Sequence, residues 1–308
     1  MKEIEPFLLV SYSFNLTPLI NLKHYNTDLN VCLVFLQNSW YNHCMNDLER
    51  YYNKFNEDKR LLSRHGQVEF FVATHYIQKY IAQYIAKHTE CDSKLNIIDI
   101  GAGTGRYSAY LADFGHNLTA VEPVRKNLSQ IQSKNPNIQI KQGNALKLKF
   151  KDESFDIALL FGPTYHLFSH EDKLRAINEA KRVLKSGGIL LIMYLTNEYA
   201  MITHAFKDGH LQESLKAGKI DSNFHIVTKE EDLYSYVRIE DINQLQQDLN
   251  MQRLEIVGVD GATDYIRPEL NKMSEQDFEY FKKYQLSISN RYELIGASSH
   301  IMDILIKP

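Results

Sequence analysis

The stretch that decides the fold is Asn96-Ile97-Ile98-Asp99-Ile100-Gly101-Ala102-Gly103-Thr104-Gly105-Arg106. Three isoleucines in its first five residues are the composition of a strand buried on both faces. Three glycines at alternate positions follow, and a helical period opens at Arg106. Glycine lets backbone come close to a ligand and adopt conformations that a Cβ forbids. Strand, glycine loop and helix in that order put the loop at the carboxyl edge of an open α/β sheet, where such sheets bind ligands. Spacing narrows the choice of ligand. The glycines fall at 101, 103 and 105, whereas the dinucleotide fingerprint needs one at 106, where Arg stands. A nicotinamide-dependent oxidoreductase is therefore disfavoured.

The alternation continues downstream. Apolar runs over 117–121, 138–142, 155–161 and 189–195 read as strands, with helical patterns over 106–114, 124–133 and 171–184 between them. Gly115 and Lys185-Ser186-Gly187-Gly188 stand where helices stop. Residues 196–236, with His204, His210 and His225, interrupt the pattern and read as a cap inserted after the fifth strand. A helix near 239–249, a strand over 254–259, a helix near 274–287 and a last strand over 300–306 complete it. The expected fold is α/β: a seven-stranded, mainly parallel sheet with helices on both faces.

Upstream, Val68, Phe71, Ile77, Ile81, Tyr84 and Ile85 recur at three- and four-residue steps, the stripe of an amphipathic helix. Gly66 is expected to break it from a charged helix over 46–64, so that 45–94 form a helical cover on a domain spanning 45–308. Residues 1–44 differ in texture and carry the only tryptophan, Trp40. Either they pack on the domain as an appendage or the native protein begins at Met45. Intact mass of natively expressed protein separates the two.

Bulk composition excludes several classes. With 44% hydrophobic and 24% charged residues, the chain matches an ordinary globular protein. A net charge of -3 speaks against a broad basic face for phosphates. Three cysteines (Cys32, Cys44, Cys91) without a C-x-x-C pair give neither a disulfide framework nor a cysteine zinc site. No apolar run approaches the length of a membrane span, and the run over 7–14 follows Glu3 and Glu5 where a signal peptide carries positive charge. The expectation is a cytoplasmic protein with no membrane partner. The sequence is silent on oligomeric state.

In residues 95–195 the chain resembles the class I S-adenosylmethionine-dependent methyltransferases. The resemblance implies that Asp99, Gly101, Ala102, Gly103 and Gly105 form the loop under the methionine part of the cofactor. Glu122, ending the second strand, matches the acid that accepts from both ribose hydroxyls, a task two carboxylate oxygens can perform. Taken alone, Glu122 also reads as a helix-start acid before Pro123. Asn144-Ala145 stands where the family has Asp-Ala against adenine; the amide oxygen can still accept, but the charge is gone. Asn144 alone reads as a turn residue. The loop Phe161-Gly162-Pro163-Thr164-Tyr165-His166 resembles a Gly-Pro-x-Tyr-His signature of a bacterial subgroup of small methyltransferases. There Gly162 would let the sulfonium come close. Tyr165 and His166 would bind substrate, with His166 taking a proton, or would only pack the loop. Arg64 would pair with the cofactor carboxylate or cap a helix end. His166 and His170 lack a third convergent ligand, so no metal is expected.

The function implied is in-line methyl transfer to a small-molecule acceptor, with S-adenosylmethionine as cofactor and S-adenosylhomocysteine as product. Two alternatives remain at this stage. A nucleic-acid methyltransferase would show a basic groove with stacking aromatics; a non-catalytic binding module would bind the cofactor and transfer nothing.

Overall fold

The computed structural model describes residues 57–88 and 93–308. The leader over 1–44, most of the charged passage over 46–64 and all three cysteines lie outside the described residues. The described chain runs α1 (Glu57–Leu62), α2 (Arg64–His88), β1 (Asn96–Ile100), α3 (Arg106–Asp113), β2 (Asn117–Glu122), α4 (Arg125–Lys134), β3 (Gln139–Gln142) and β4 (Phe155–Leu160). After a 3-10 turn at Pro163–Tyr165 come α5 (His170–Val183), β5 (Leu184–Leu195), α6 (Asn197–Ala200), a π-helix at Met201–Lys207 and α7 (Leu211–Lys216). The last part holds α8 (Ile239–Asp248), β6 (Gln252–Gly258), α9 (Arg267–Lys272), α10 (Glu275–Ile288), α11 (Tyr292–Ile295) and β7 (His300–Ile306).

Seven strands form one sheet in the order β3-β2-β1-β4-β5-β7-β6. β1 to β5 are parallel, and β7 runs antiparallel to both its neighbours. The order reverses between β1 and β4, which opens a crevice at the carboxyl ends of those strands. Because β7 is antiparallel, its first residues lie on that same edge, beside the end of β6.

Period-two alternation divides the core into two layers. Ile97, Ile157, Leu159, Leu191 and Met193 face the helices α2, α3 and α4. Their neighbours Ile98, Ala158, Leu160, Leu190 and Ile192 face α5 and α8. The expected stripe of α2 is visible in Val68, Ile77, Ile81 and Tyr84, which are buried.

Two local readings change. The break between α1 and α2 falls at Ser63, and Gly66 lies inside α2. A Cβ on Gly66 would run into the Arg60 carbonyl and the Leu61 backbone, so the glycine is there for the close approach of α1. The turn Lys185–Gly188 lies within β5 as a bulge: pairing steps from Phe155–Leu184 to Ile157–Ile189. The short helices α9 and α11 had no periodic signal in the sequence.

Candidate active site

The glycine loop is built on strained backbone that only glycine takes easily. Gly101, Gly103 and Gly105 have φ of +76°, +55° and +79°. The amides of Gly101 and Ala102 both donate to the Val121 carbonyl, at 2.8 and 3.1 Å, so β1 and β2 are tied together where the loop begins. Beneath the loop, buried Asp99 accepts a hydrogen bond from Ser108 Oγ of α3 at 2.6 Å. Burial raises the Asp99 carboxyl to about 6, against the opposing effect of the Ser108 bonds.

Glu122 stands at the end of β2, 4% exposed. Its Oε2 accepts from Gly103 N (3.0 Å), and its Oε1 from Val124 N (3.0 Å) and Asn127 Nδ2 (3.1 Å). Three of its four acceptor positions are therefore used, and one remains on Oε2 beside the glycine loop. Burial pushes its carboxyl up to about 7, because the three donors are neutral N–H groups that only partly offset desolvation.

The loop after β4 abuts the glycine loop. A Cβ on Gly101 would lie 2.6 Å from the Pro163 ring, and one on Gly162 (φ +106°) would lie 3.6 Å from the Gly101 carbonyl. Phe161 is buried edge-on against Tyr107, with ring centroids 5.2 Å apart. Thr164 Oγ1 donates to the Met193 carbonyl on β5. Tyr165 and His166 reach the inserted segment: Ser235 N donates to the Tyr165 carbonyl at 2.6 Å, and His166 Nδ1 donates to the Leu233 carbonyl at 2.8 Å. Lys173 of α5 clamps this junction by donating to the Leu167 carbonyl and to Ser235 Oγ.

The structure thus gathers Asp99, Gly101, Ala102, Gly103, Gly105, Glu122, Phe161, Gly162 and Tyr165 along one edge. Other expected residues are placed differently. Asn144 Oδ1 accepts from Leu146 N at 2.9 Å, so the side chain closes its own turn. Ala145 is buried in the core layer beside α5. Arg64 donates to the Leu270 and Met273 carbonyls and pairs with Glu275, all within 2.7 Å, over the face of Phe278. Its guanidinium anchors α2 to α9 and α10 and is spent there. Burial drops His166 to about 4, against the Leu233 bond that favours its charged form. An imidazole that stays neutral to so low a pH is a poor proton acceptor, and its Nδ1–H fixes it as a loop anchor. His170 pairs with Asp248 instead of converging with His166.

One cluster escaped the sequence altogether. Glu69 of α2, Asp260 after β6 and His300 opening β7 are all buried, and their ligand-type atoms lie within 4.8 Å of one another. Each residue was visible, but nothing in the sequence joins three segments so far apart; the hint was polar residues at two strand termini on the ligand-binding edge.

Residues 98–192 match the family described as Methyltransferase domain. The chain is 29% identical over 119 residues to an uncharacterized methyltransferase-like protein of Schizosaccharomyces pombe, covering 38% of this chain and 45% of that one. It is 32% identical over 102 residues to an uncharacterized methyltransferase of Mycobacterium bovis (33% and 40%). A demethylmenaquinone methyltransferase of Chlorobaculum parvum is 29% identical over 119 residues (38% and 48%). The chain spans less than half the length of these relatives. The structure of a Thermotoga maritima S-adenosylmethionine-dependent methyltransferase, described as a possible histamine N-methyltransferase, aligns with TM-score 0.51 at 20% identity, over 86% of this chain and 100% of that one. The fold is that of class I methyltransferases.

That fold implies S-adenosylmethionine as cofactor and S-adenosylhomocysteine as product, and the edge fits them. Among the described residues a Cβ on Gly103 would meet no atom within 4 Å, and Glu122 keeps an acceptor position for a ribose hydroxyl. No helix of the described residues is long and apolar enough to cross a membrane.

If Glu122 accepts from the ribose, binding depends on pH. Protonation removes acceptor positions, so affinity for S-adenosylhomocysteine is expected to fall as the pH drops through about 7. Stability of the unliganded protein moves the other way. The folded carboxyl lies above its model value of 4.5, so the folded state holds the extra proton between the two, and this contribution declines as pH rises from 4.5 to about 7. Calorimetry across that range checks the first statement, and a pH-independent affinity would contradict it.

Proposed function

We propose that the chain is an S-adenosylmethionine-dependent methyltransferase acting on a small-molecule acceptor, in a subgroup marked by the Gly162-Pro163-Thr164-Tyr165-His166 loop. The observation that carries the acceptor class is a cavity of about 530 Å³ in the inserted segment, walled by Tyr199, Met201, His204, Leu233, Tyr234 and Arg267 among others. Its volume lies in the range of small-molecule sites. Tyr234 on its wall has its ring 5.5 Å from that of His166, so one wall of the cavity packs on the loop beside the glycines. Polar and apolar walls together suit an acceptor with a few directed polar groups.

When bound, the cofactor supplies an already activated methyl group, so the protein's work is to place the acceptor and exclude water. Gly162 would let the loop approach the sulfonium, Tyr165 and His166 would hold that loop against the inserted segment, and residues of the insertion would wall the acceptor. Demethylmenaquinone is named in one relative and histamine, as a possibility, in one structural neighbour; neither is assigned to this chain.

Label partition tests this reading. With methyl-labelled S-adenosylmethionine and a whole-cell extract, label is expected in the small-molecule fraction. Label confined to RNA, DNA or protein would overturn the small-molecule reading, and none anywhere would leave a cofactor-binding module.

A further inference from the structure

The buried cluster missed by the sequence has the geometry of a proton acceptor. His300 Nδ1 lies 2.6 Å from Asp260 Oδ2, and the His300 amide donates to Asp260 Oδ1 at 2.8 Å. Ser298 Oγ lies 2.7 Å from Asp260 Oδ1 and shares its one proton with the His300 carbonyl at 2.8 Å; Ser299 Oγ lies 2.5 Å from Asp260 Oδ2 and shares its one proton with Asp264. The two bonds from His300, one to each oxygen, hold the Asp260 carboxylate in place against the imidazole, so Nδ1 carries the proton and Nε2 is the exchanging nitrogen. Glu69 is taken up by Arg60 at 2.6 and 3.2 Å. A metal would have to break these bonds, so the donor set favours an imidazole–carboxylate pair.

The pair is buried at the carboxyl edge of the sheet, next to residues of both parts of the site. Tyr165, on the loop beside the glycines, has its ring 5.8 Å from that of His300. On the other side Ser299 Oγ stands between Asp260 and Asp264, 2.5 Å from an oxygen of each and able to donate to one of them at a time, and Asp264 with Arg267 lines the acceptor cavity. Building on the methyl-transfer reading above, we propose that His300, oriented by Asp260, takes the proton from the O–H or N–H of the methyl acceptor. The proton leaves the acceptor oxygen or nitrogen for Nε2, and its bonding pair stays on the acceptor atom as the nucleophilic pair. The imidazolium formed is balanced by Asp260, so charge does not build up in a buried site.

The groups around His300 set its working range. Glu69 faces it from α2 with Arg60 of α1 behind, Asp264 and Arg267 lie beyond Ser299, His65 sits between those two ion pairs, and Tyr165 covers the edge. Burial lowers His300, but Asp260 and then Glu69 outweigh it and bring the imidazole up to about 9. Such a base pairs well with phenolic hydroxyls or ammonium groups, which give up protons in the same range.

The test joins nitrogen NMR of histidine-labelled protein, saturated with S-adenosylhomocysteine, to rates of label transfer from methyl-labelled S-adenosylmethionine to the acceptor in the extract. A buried imidazole missing in His300→Gln is expected to titrate near 9, and the rate to rise with the same midpoint. Asp260→Asn should lower both midpoints together by more than about one pH unit. His300→Gln should cut transfer by about 100-fold or more while S-adenosylhomocysteine affinity changes by less than about threefold. Rates that ignore the imidazole titration, transfer surviving in His300→Gln, or activity lost to a chelator and restored by zinc or manganese would each overturn the proposal. If His300→Gln does not fold, the matched midpoints of wild type and Asp260→Asn decide. Binding of S-adenosylhomocysteine without transfer to any acceptor also overturns it, whereas no binding at all breaks the methyltransferase reading itself.

Discussion

Glu122→Ala is expected to weaken S-adenosylhomocysteine binding by about 10- to 100-fold, the worth of one or two hydrogen bonds to a charged acceptor. The carboxylate is the buried acid at the end of β2, and its Oε2 holds the Gly103 amide at 3.0 Å. Its loss removes the ribose acceptor and releases the glycine loop at once. The effect on stability is expected to be much smaller. A desolvated carboxyl disappears while the Val124 and Gly103 amides lose an acceptor, and these two changes oppose each other. Calorimetry and a melting curve on the same sample check both halves. Unchanged affinity would mean the ribose is held elsewhere.

The second large effect separates two glycines of one loop. Both have positive φ, so alanine costs either position about 1–2 kcal/mol of backbone strain. At Gly101 the new methyl also collides with the Pro163 ring, 2.6 Å away, and pushes the Gly162–His166 loop off its seat. Gly101→Ala is therefore expected to lower stability by more than about 2 kcal/mol. At Gly103 the methyl meets no described atom within 4 Å and projects into the crevice. Gly103→Ala is expected to lose stability only by that strain energy, clearly less than Gly101→Ala, and yet to lose cofactor binding. Unchanged S-adenosylhomocysteine affinity in Gly103→Ala would show that the space beside Gly103 is not a ligand site.

What the sequence disclosed follows from the range of each interaction. The glycine loop, Glu122 and the strand ends are local: their residue types answer to backbone within a few positions, and β1 and β7 begin and end where the pattern places them. Gly66 was misread because its reason is tertiary, the Arg60 carbonyl pressed against it. Arg64 was offered to the cofactor because a cation at a helix start has many outlets; its actual partners are carbonyls some 206 and 209 positions away. His166 was favoured as a base on sequence, but burial makes its protonation costly. The stronger candidate, His300, draws its character from Asp260, 40 residues earlier, and from Glu69 on the far end of the chain. No periodicity records that meeting.

The most direct test of the central claim is a calorimetric titration of the full chain with S-adenosylhomocysteine and, in parallel, with NADH. The glycine spacing, the buried acid of β2 and the crevice at Gly103 together predict micromolar or tighter binding of S-adenosylhomocysteine and none of NADH. Folded protein that binds NADH, or that binds neither, would contradict the account.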